Sequence, residues 1–197
     1  MPLAVLLGAA LWGRWRVDGG QPMSPTFKEE QLSYPASWED EYRKTGFVKE
    51  WRLKFPKQFQ DHKGSTQLGT LDLFPQYALM FLLRINERAK SITWYKLADS
   101  SKDPKGKEKI RKRWRKMRDL MGDKNFEKLQ AELRTQGFST FKGEPDLFCW
   151  DPIGRWFFAE AKGKDKLTQS QLDWFQVCHD VLGDLSDIRV YHLVPDS

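Results

Sequence analysis

Two cysteines, Cys149 and Cys178, and three scattered histidines, His62, His179 and His192, are all that 197 residues contain of the usual soft metal ligands. That scarcity excludes a four-ligand zinc cluster, whose Cys and His come in closely spaced pairs, and a scaffold stapled by several disulfides. A reducing compartment is the expectation. Long apolar runs are missing too. Ala4 to Trp12 is apolar but too short to cross a bilayer, carries no positive leader, and passes into Gly13-Arg14-Trp15-Arg16 without a small-residue cleavage site. No membrane span is expected. The stretch reads as a helix end packed on the core, as sequence upstream of a start at Met23, or as a weak surface anchor. Nor does one charge dominate: 33 Lys and Arg face 27 Asp and Glu, a formal +6 that permits a nucleic-acid partner without requiring one.

Aromatic residues, by contrast, are plentiful: nine Trp and thirteen Phe lie in a chain that is 40% hydrophobic. A chain of this length buries roughly 70% of its extended surface around one core with a radius of gyration of about 16 Å. A largely disordered chain, or one with two independent lobes, is thereby excluded. Residues 1–36, with Gly19-Gly20, Pro22, Pro25 and Pro35, read as a lead-in, and 37–197 as a single domain. Ser37 and Asp40 have the spacing of a capping box, with Trp38, Tyr42 and Phe47 along one side of a short helix. Tyr77, Met80, Phe81 and Ile85 predict a helix beginning near Pro75, with Glu87 close to its end. Ile92, Trp94, Tyr95 and Leu97 fit a strand or a loop.

The positive charge is local. After a polar linker at 100–107, residues 102–118 hold ten basic and two acidic residues, a net +8 that leaves the rest of the chain at −2. Within that run Ile110, Trp114, Met117 and Met121 recur at helical spacing, which predicts an amphipathic helix with a buried stripe and a basic outer face. A further helix is expected over 124–135, closed by Gly137, so that 74–136 is a helical and basic segment.

Residues 137–194 are the most legible. Pro145 to Trp150 and Trp156 to Ala161 are short strand candidates joined by Asp151-Pro152-Ile153-Gly154, which suits a type I turn followed by a left-handed glycine. Three loop residues between Asp151 and Arg155 place Asp146 opposite Glu160. Thr168 and Gln171 form a second capping box, ahead of a helix burying Trp174, Phe175, Cys178, Val181 and Leu182 and stopped by Gly183. Ile188, Val190, His192 and Val194 then alternate as a strand. Strand, helix, strand predicts a parallel crossover attached to a hairpin, hence a mixed α/β sheet.

The chemistry follows from that hairpin. Glu160 and Lys162 point to one side of their strand, and the register brings Asp146 to them. Two carboxylates suit Mg²⁺ or Mn²⁺, with the Ala161 carbonyl as a further oxygen, while Lys162 faces a phosphate or water. Such a group meets the needs of phosphodiester hydrolysis: neutralised phosphoryl oxygens and an activated water. An ammonium abstracts protons poorly at neutral pH, so Lys162 reads as an orienting and charge-stabilising group. The bland alternative is an edge hairpin whose Glu160 and Lys162 are surface charges. Against it stands the apolar run Trp156 to Ala159, since a charge ending a central strand is costly unless it pairs or coordinates.

Gly143-Glu144-Pro145-Asp146-Leu147, then Phe158-Ala159-Glu160-Ala161-Lys162-Gly163, then Asp165-Lys166-Leu167-Thr168 with Gln171 and Trp174, resembles the VRR-NUC branch of the PD-(D/E)xK nuclease superfamily. The resemblance covers just under a third of the chain. It implies a restriction-endonuclease-like mixed β-sheet core flanked by helices, here with an additional basic helical segment, and a metal-dependent phosphodiesterase acting on DNA. It further implies Asp146 and Glu160 as metal ligands, Lys162 as the catalytic lysine and Gln171 as the motif glutamine. The same Gln171 has a plain role as the partner of Thr168. The family often adds an acid from an upstream helix, for which Glu87 comes first and Glu41 second. A homodimer and a cytoplasmic site of action, in a host cell if the chain is phage-encoded, belong to the same implication.

DNA phosphates are the expected partners of Arg111, Arg113, Arg115, Lys116 and Arg118 on the basic helix and of Lys164 and Lys166 beside the site. No sequence-reading module is visible, which favours selection by shape, as in a junction or flap, over a fixed sequence. A non-catalytic nucleic-acid-binding or assembly protein with a retained fold, and RNA in place of DNA, are the competing readings.

Overall fold

The computed structural model describes residues 27–59, 71, 73–98, 104–138 and 142–196. The apolar stretch at 4–12, the turn-rich segment 17–26, Asp72 and the first part of the polar linker, 100–103, lie outside the described residues. In chain order the elements are β1 (Lys28–Tyr34), α1 (Ser37–Thr45), α2 (Lys49–Lys54), α3 (Pro56–Phe59), α4 (Phe74–Asn86), β2 (Lys90–Thr93), α5 (Pro104–Met121), α6 (Asp123–Thr135), β3 (Leu147–Trp150), β4 (Trp156–Lys162), α7 (Gln169–Leu182) and β5 (Ile188–Pro195).

The strands form one mixed sheet in the order β1-β5-β4-β3-β2. β3 and β4 are the expected antiparallel hairpin, and Gly154 takes the left-handed φ of 87° that its turn requires. β4 and β5 run parallel, joined through α7. β2 extends the hairpin side antiparallel to β3, and β1 extends the other side parallel to β5.

Strand periodicity sends alternate residues to two different cores. Leu147, Cys149, Phe157, Ala159, Tyr191 and Leu193 pack with Trp38, Tyr42, Trp51, Phe74 and Phe81 of α1, α2 and α4. Phe148, Phe158, Ile188 and Val190 pack on the opposite face with Met117, Phe126, Leu129, Trp174 and Phe175 of α5, α6 and α7. The result is a three-layer α/β fold with a five-stranded mixed sheet flanked by helices. On the first face Trp51 is fully buried among Trp38, Phe59, Phe74 and Phe81.

Four expectations need correction. The lead-in of 1–36 is not separate from the domain, because residues 28–34 are β1, an edge strand of its sheet whose mostly polar side chains suit an exposed border. Ser37 is already helical: Ala36 occupies the N-cap and no side chain caps there, so the Ser37 and Asp40 box does not form. The linker ends earlier than expected, since α5 starts at Pro104, a residue whose fixed φ and missing N–H suit a first helical turn. β5 does not alternate between a buried and an exposed face. It lies between β1 and β4 and is covered on both sides, so Tyr191 and Leu193 are buried along with Ile188 and Val190, while His192 is only half-buried. The undecided segment at 92–97 divides, with Ile92 in β2 and Trp94 to Leu97 in the loop that follows.

Candidate hydrolytic site at the open end of the hairpin

The pairing Leu147↔Ala159, Phe148↔Phe158, Cys149↔Phe157 and Trp150↔Trp156 sets Asp146 one step beyond the ladder, level with Glu160. The Asp146 N–H donates to Glu160 Oε2 at 3.2 Å, and the Ala161 N–H donates to Asp146 Oδ2 at 3.0 Å. Lys162 Nζ lies 2.9 Å from Glu160 Oε1 and donates to Gln171 Oε1 at 3.0 Å. The Gln171 amide in turn donates to Glu160 Oε1. Glu160 and Lys162 are 3% and 8% exposed, so they are not the surface charges of an edge hairpin.

Gln171 answers both readings made of it. Its Oε1 accepts the Thr168 N–H at 2.9 Å in a complete capping box, and the same side chain joins Glu160 to Lys162. The start of α7 is thereby tied to the end of β4.

Electrostatics make the cluster demanding. Burial, then the charge of Asp146, pushes the Glu160 carboxyl well above the usual range, with Lys162 opposing both. Burial also raises Asp146, against the Ala161 N–H and Lys162. Two ionised carboxylates and one ammonium would leave a buried excess of negative charge, which such sites relieve by protonation or by a cation. The donor set is therefore of a kind that suits a hard divalent ion: two carboxylates close together, Glu160 buried and Asp146 half-buried, both raised in pKa.

Several residues that sequence reasoning passed over hold Asp146 in place. Gln76, buried in α4, donates its amide to the Asp146 carbonyl at 3.2 Å. The buried Tyr95 hydroxyl donates to the Pro145 carbonyl at 2.9 Å. The Glu144 carboxylate accepts the Lys96 and Leu97 N–H groups at 2.9 and 2.7 Å, binding the 94–97 loop to the approach to Asp146. That loop is unusual, since Trp94 and Lys96 both hold left-handed φ of 48° and 50° without being glycine. Gln76 had a visible signal, a lone amide inside an apolar helix. Glu144 and Tyr95 had none, because their partners are distant backbone groups.

Other expected site residues lie elsewhere. Glu87 is the C-cap of α4, paired through Arg189 at 3.1 Å, and Arg189 stacks over Phe157 on the other face of the sheet from Glu160. Glu41 accepts the Lys49 N–H at 3.0 Å within the α1 and α2 layer. Neither upstream acid joins the cluster. At Ala161 it is the N–H that the site engages, by way of Asp146.

The basic helix is not one uniform phosphate-facing row. Arg113, half-buried, donates to the Trp94 carbonyl at 2.8 Å, and Arg118 pairs with Glu127 and packs over Phe126. Both guanidinium groups hold structure together. Lys116 lies 5.3 Å above the Trp150 ring, at the other end of the sheet from Asp146. Arg111 and Arg115 are exposed, Arg115 in an exposed pair with Glu108, and Lys164 and Lys166 are exposed on the loop after β4.

Among the described residues no group of three or more His, Cys, Asp or Glu is placed to hold a metal ion, so any ion here would rest on two carboxylates plus backbone or solvent oxygens. No helix among them is long and apolar enough to cross a membrane. Comparison of the chain with known protein families, with curated proteins and with solved structures finds no match in any of the three.

Proposed function

We propose that the chain is a divalent-metal-dependent DNA endonuclease of the PD-(D/E)xK type, similar to the VRR-NUC branch, acting in the cytoplasm on DNA selected by shape. One observation carries the reading: Asp146, Glu160, Lys162 and Gln171, the residues that strand register and motif single out, meet within hydrogen-bonding distance at one partly buried point. Asp146, Glu160 and the Ala161 carbonyl would hold Mg²⁺ or Mn²⁺, which supplies neutralisation of phosphoryl oxygens and acidification of water.

The chain's own residues supply the rest. Lys162 places a fixed positive charge beside Glu160, where it stabilises negative charge developing on a phosphate without reorganising as the reaction proceeds. Gln171, anchored by its capping box, holds Lys162 and Glu160 in their rotamers. Gln76, Tyr95 and Glu144 fix the backbone that carries Asp146.

The test is incubation of purified protein with labelled duplex, single-stranded, flapped and four-way DNA, and with RNA, in Mg²⁺, Mn²⁺ or EDTA. Cleavage in a metal but not in EDTA, reduced about 10²–10³-fold by Lys162→Ala, is the expected result. Full metal-dependent cleavage by Lys162→Ala would sink the assignment. The lack of a third acid at the cluster, among the described residues, favours the rival reading, a non-catalytic nucleic-acid-binding protein, and binding without cleavage in every metal condition would select it.

Duplex binding should depend on the exposed cations. Replacing Arg111, Arg115, Lys164 and Lys166 with Gln is expected to weaken affinity and to flatten the plot of log affinity against log salt by about 0.9 for each phosphate left without its cation. An unchanged slope removes these residues from the interface.

A further inference from the structure

The hydrolytic cluster occupies one end of the sheet, and the other end carries a cationic groove that the proposed reaction does not use. β2 and β3 pair Lys90 with Trp150, four residues along β3 from Asp146, or about 13 Å at the rise of a strand. There a groove of about 590 Å³ is lined by Phe55, Arg84, Arg88, Lys90, Lys116 and Trp150. It continues into a second lobe of about 530 Å³ that shares Phe55, Arg84, Lys90 and Trp150 and adds Lys54 and Lys57.

Two features of the lining belong together. Arg84, Arg88, Lys90 and Lys116 make no ion pair among the described residues; Arg84 spends one N–H on the Arg88 carbonyl at 2.9 Å. The acid on the rim, Asp151, is already taken by the Ile153 and Arg155 N–H groups and by the Arg155 side chain at 2.7 Å. Four like charges around one groove repel each other unless anions sit among them. The second feature is aromatic: Trp150 lies beneath Lys116 at 5.3 Å and Phe55 beneath Arg84 at 5.4 Å, both rings partly exposed.

Cations tracking a backbone beside aromatic faces are the means by which proteins hold unpaired strands, because every base has a π-face and a duplex keeps its bases stacked on one another. The continuity of the two lobes suits a strand that passes through rather than a compact ligand that is enclosed. We infer that this groove binds a single-stranded segment of nucleic acid, with Trp150 stacking a base and Arg84, Lys90 and Lys116 contacting phosphates. The inference rests on the nucleic-acid part of the proposed function and not on hydrolysis. It would favour substrates with an unpaired tail alongside the cleaved region.

The test is fluorescence anisotropy of a labelled oligo-dT strand and of a blunt duplex, both in EDTA. Trp150→Ala is expected to lower single-strand affinity about tenfold or more, with Trp150→Phe restoring most of it, and blunt-duplex affinity changing less than about threefold. The double variant Arg84→Gln with Lys90→Gln should reduce the salt slope for the single strand by about 0.7 for each phosphate that a removed cation had neutralised. Unchanged single-strand affinity, equal losses for strand and duplex, or no recovery with Phe would each overturn the inference. Circular dichroism melts check folding, and should Trp150→Ala unfold, the surface pair Arg84 and Lys90 decides alone. With no metal present, a failure of the hydrolytic assignment leaves this result standing, and a failure here leaves cleavage untouched.

Discussion

Asp146→Asn is expected to reduce cleavage about 10²–10³-fold and yet to raise the melting temperature of the protein in EDTA at pH 8. The amide oxygen of Asn can still accept the Ala161 N–H, while the charge that burial and Glu160 make costly is gone. A carboxyl whose folded pKa lies above its unfolded value stabilises the fold when protonated. That contribution is complete below the unfolded pKa, near ~3.9 for Asp, and is lost as pH rises through the folded one. Both Asp146 and Glu160 are shifted upward, so wild-type protein loses stability across this interval and the Asn variant loses less. The gain should be absent in strong acid and reach about 1 kcal/mol at pH 8, or about 2–4 °C for a chain of this size. Mg²⁺ should raise the wild-type melting temperature at pH 8 and leave the variant nearly unmoved. A variant that melts lower than wild type in EDTA at pH 8 would contradict the like-charge account.

Gly143→Ala should be the most damaging single-methyl change at the site. Gly143 holds φ of 75°, and a Cβ there would stand 2.1 Å from the Ser170 carbonyl oxygen and 2.8 Å from its carbon. Those are backbone atoms in the first turn of α7, which the capping box fixes, so neither partner can turn aside. Strain at the dihedral costs about 1–3 kcal/mol and overpacking about 1–3 more. A drop of roughly 5–15 °C in melting temperature is expected. Because Glu144, Pro145 and Asp146 follow directly, activity should fall even at temperatures where the variant stays folded. Gly154→Ala is the control, since its Cβ would meet nothing within 4 Å despite a φ of 87°. Equal melting temperatures for Gly143→Ala and wild type would show that α7 is not braced against this turn.

The hairpin and its crossover were readable because their signals are local. A period of two, a turn whose length fixes register, and a cap three residues from its partner lie within short windows, and together they located Asp146, Glu160, Lys162 and Gln171. β1 was hidden for the opposite reason. Lys28-Glu29-Glu30-Gln31 has the composition of a solvated segment, and its strand character comes from pairing with residues about 160 positions away. The alternation expected of β5 was upset by its central place, since a strand covered on both faces buries successive residues. Nearness in the chain to the basic segment singles out Glu87 as the upstream acid. Its helix lies on the face opposite Glu160, a distinction that linear order does not carry.

β1 and β5 also set a schedule for the nascent chain. Tyr34 pairs with Pro195, so β1, the earliest made of the described strands, has no partner until β5, the latest of them, has been made. At usual translation speeds that interval is roughly ten to thirty seconds, during which a polar, charged β1 is safer than an apolar one would be. β4, which carries Glu160 and Lys162, likewise lacks one of its two neighbours until β5 emerges. Glu160 and Lys162 are thus brought fully into the sheet only once β5 has been made.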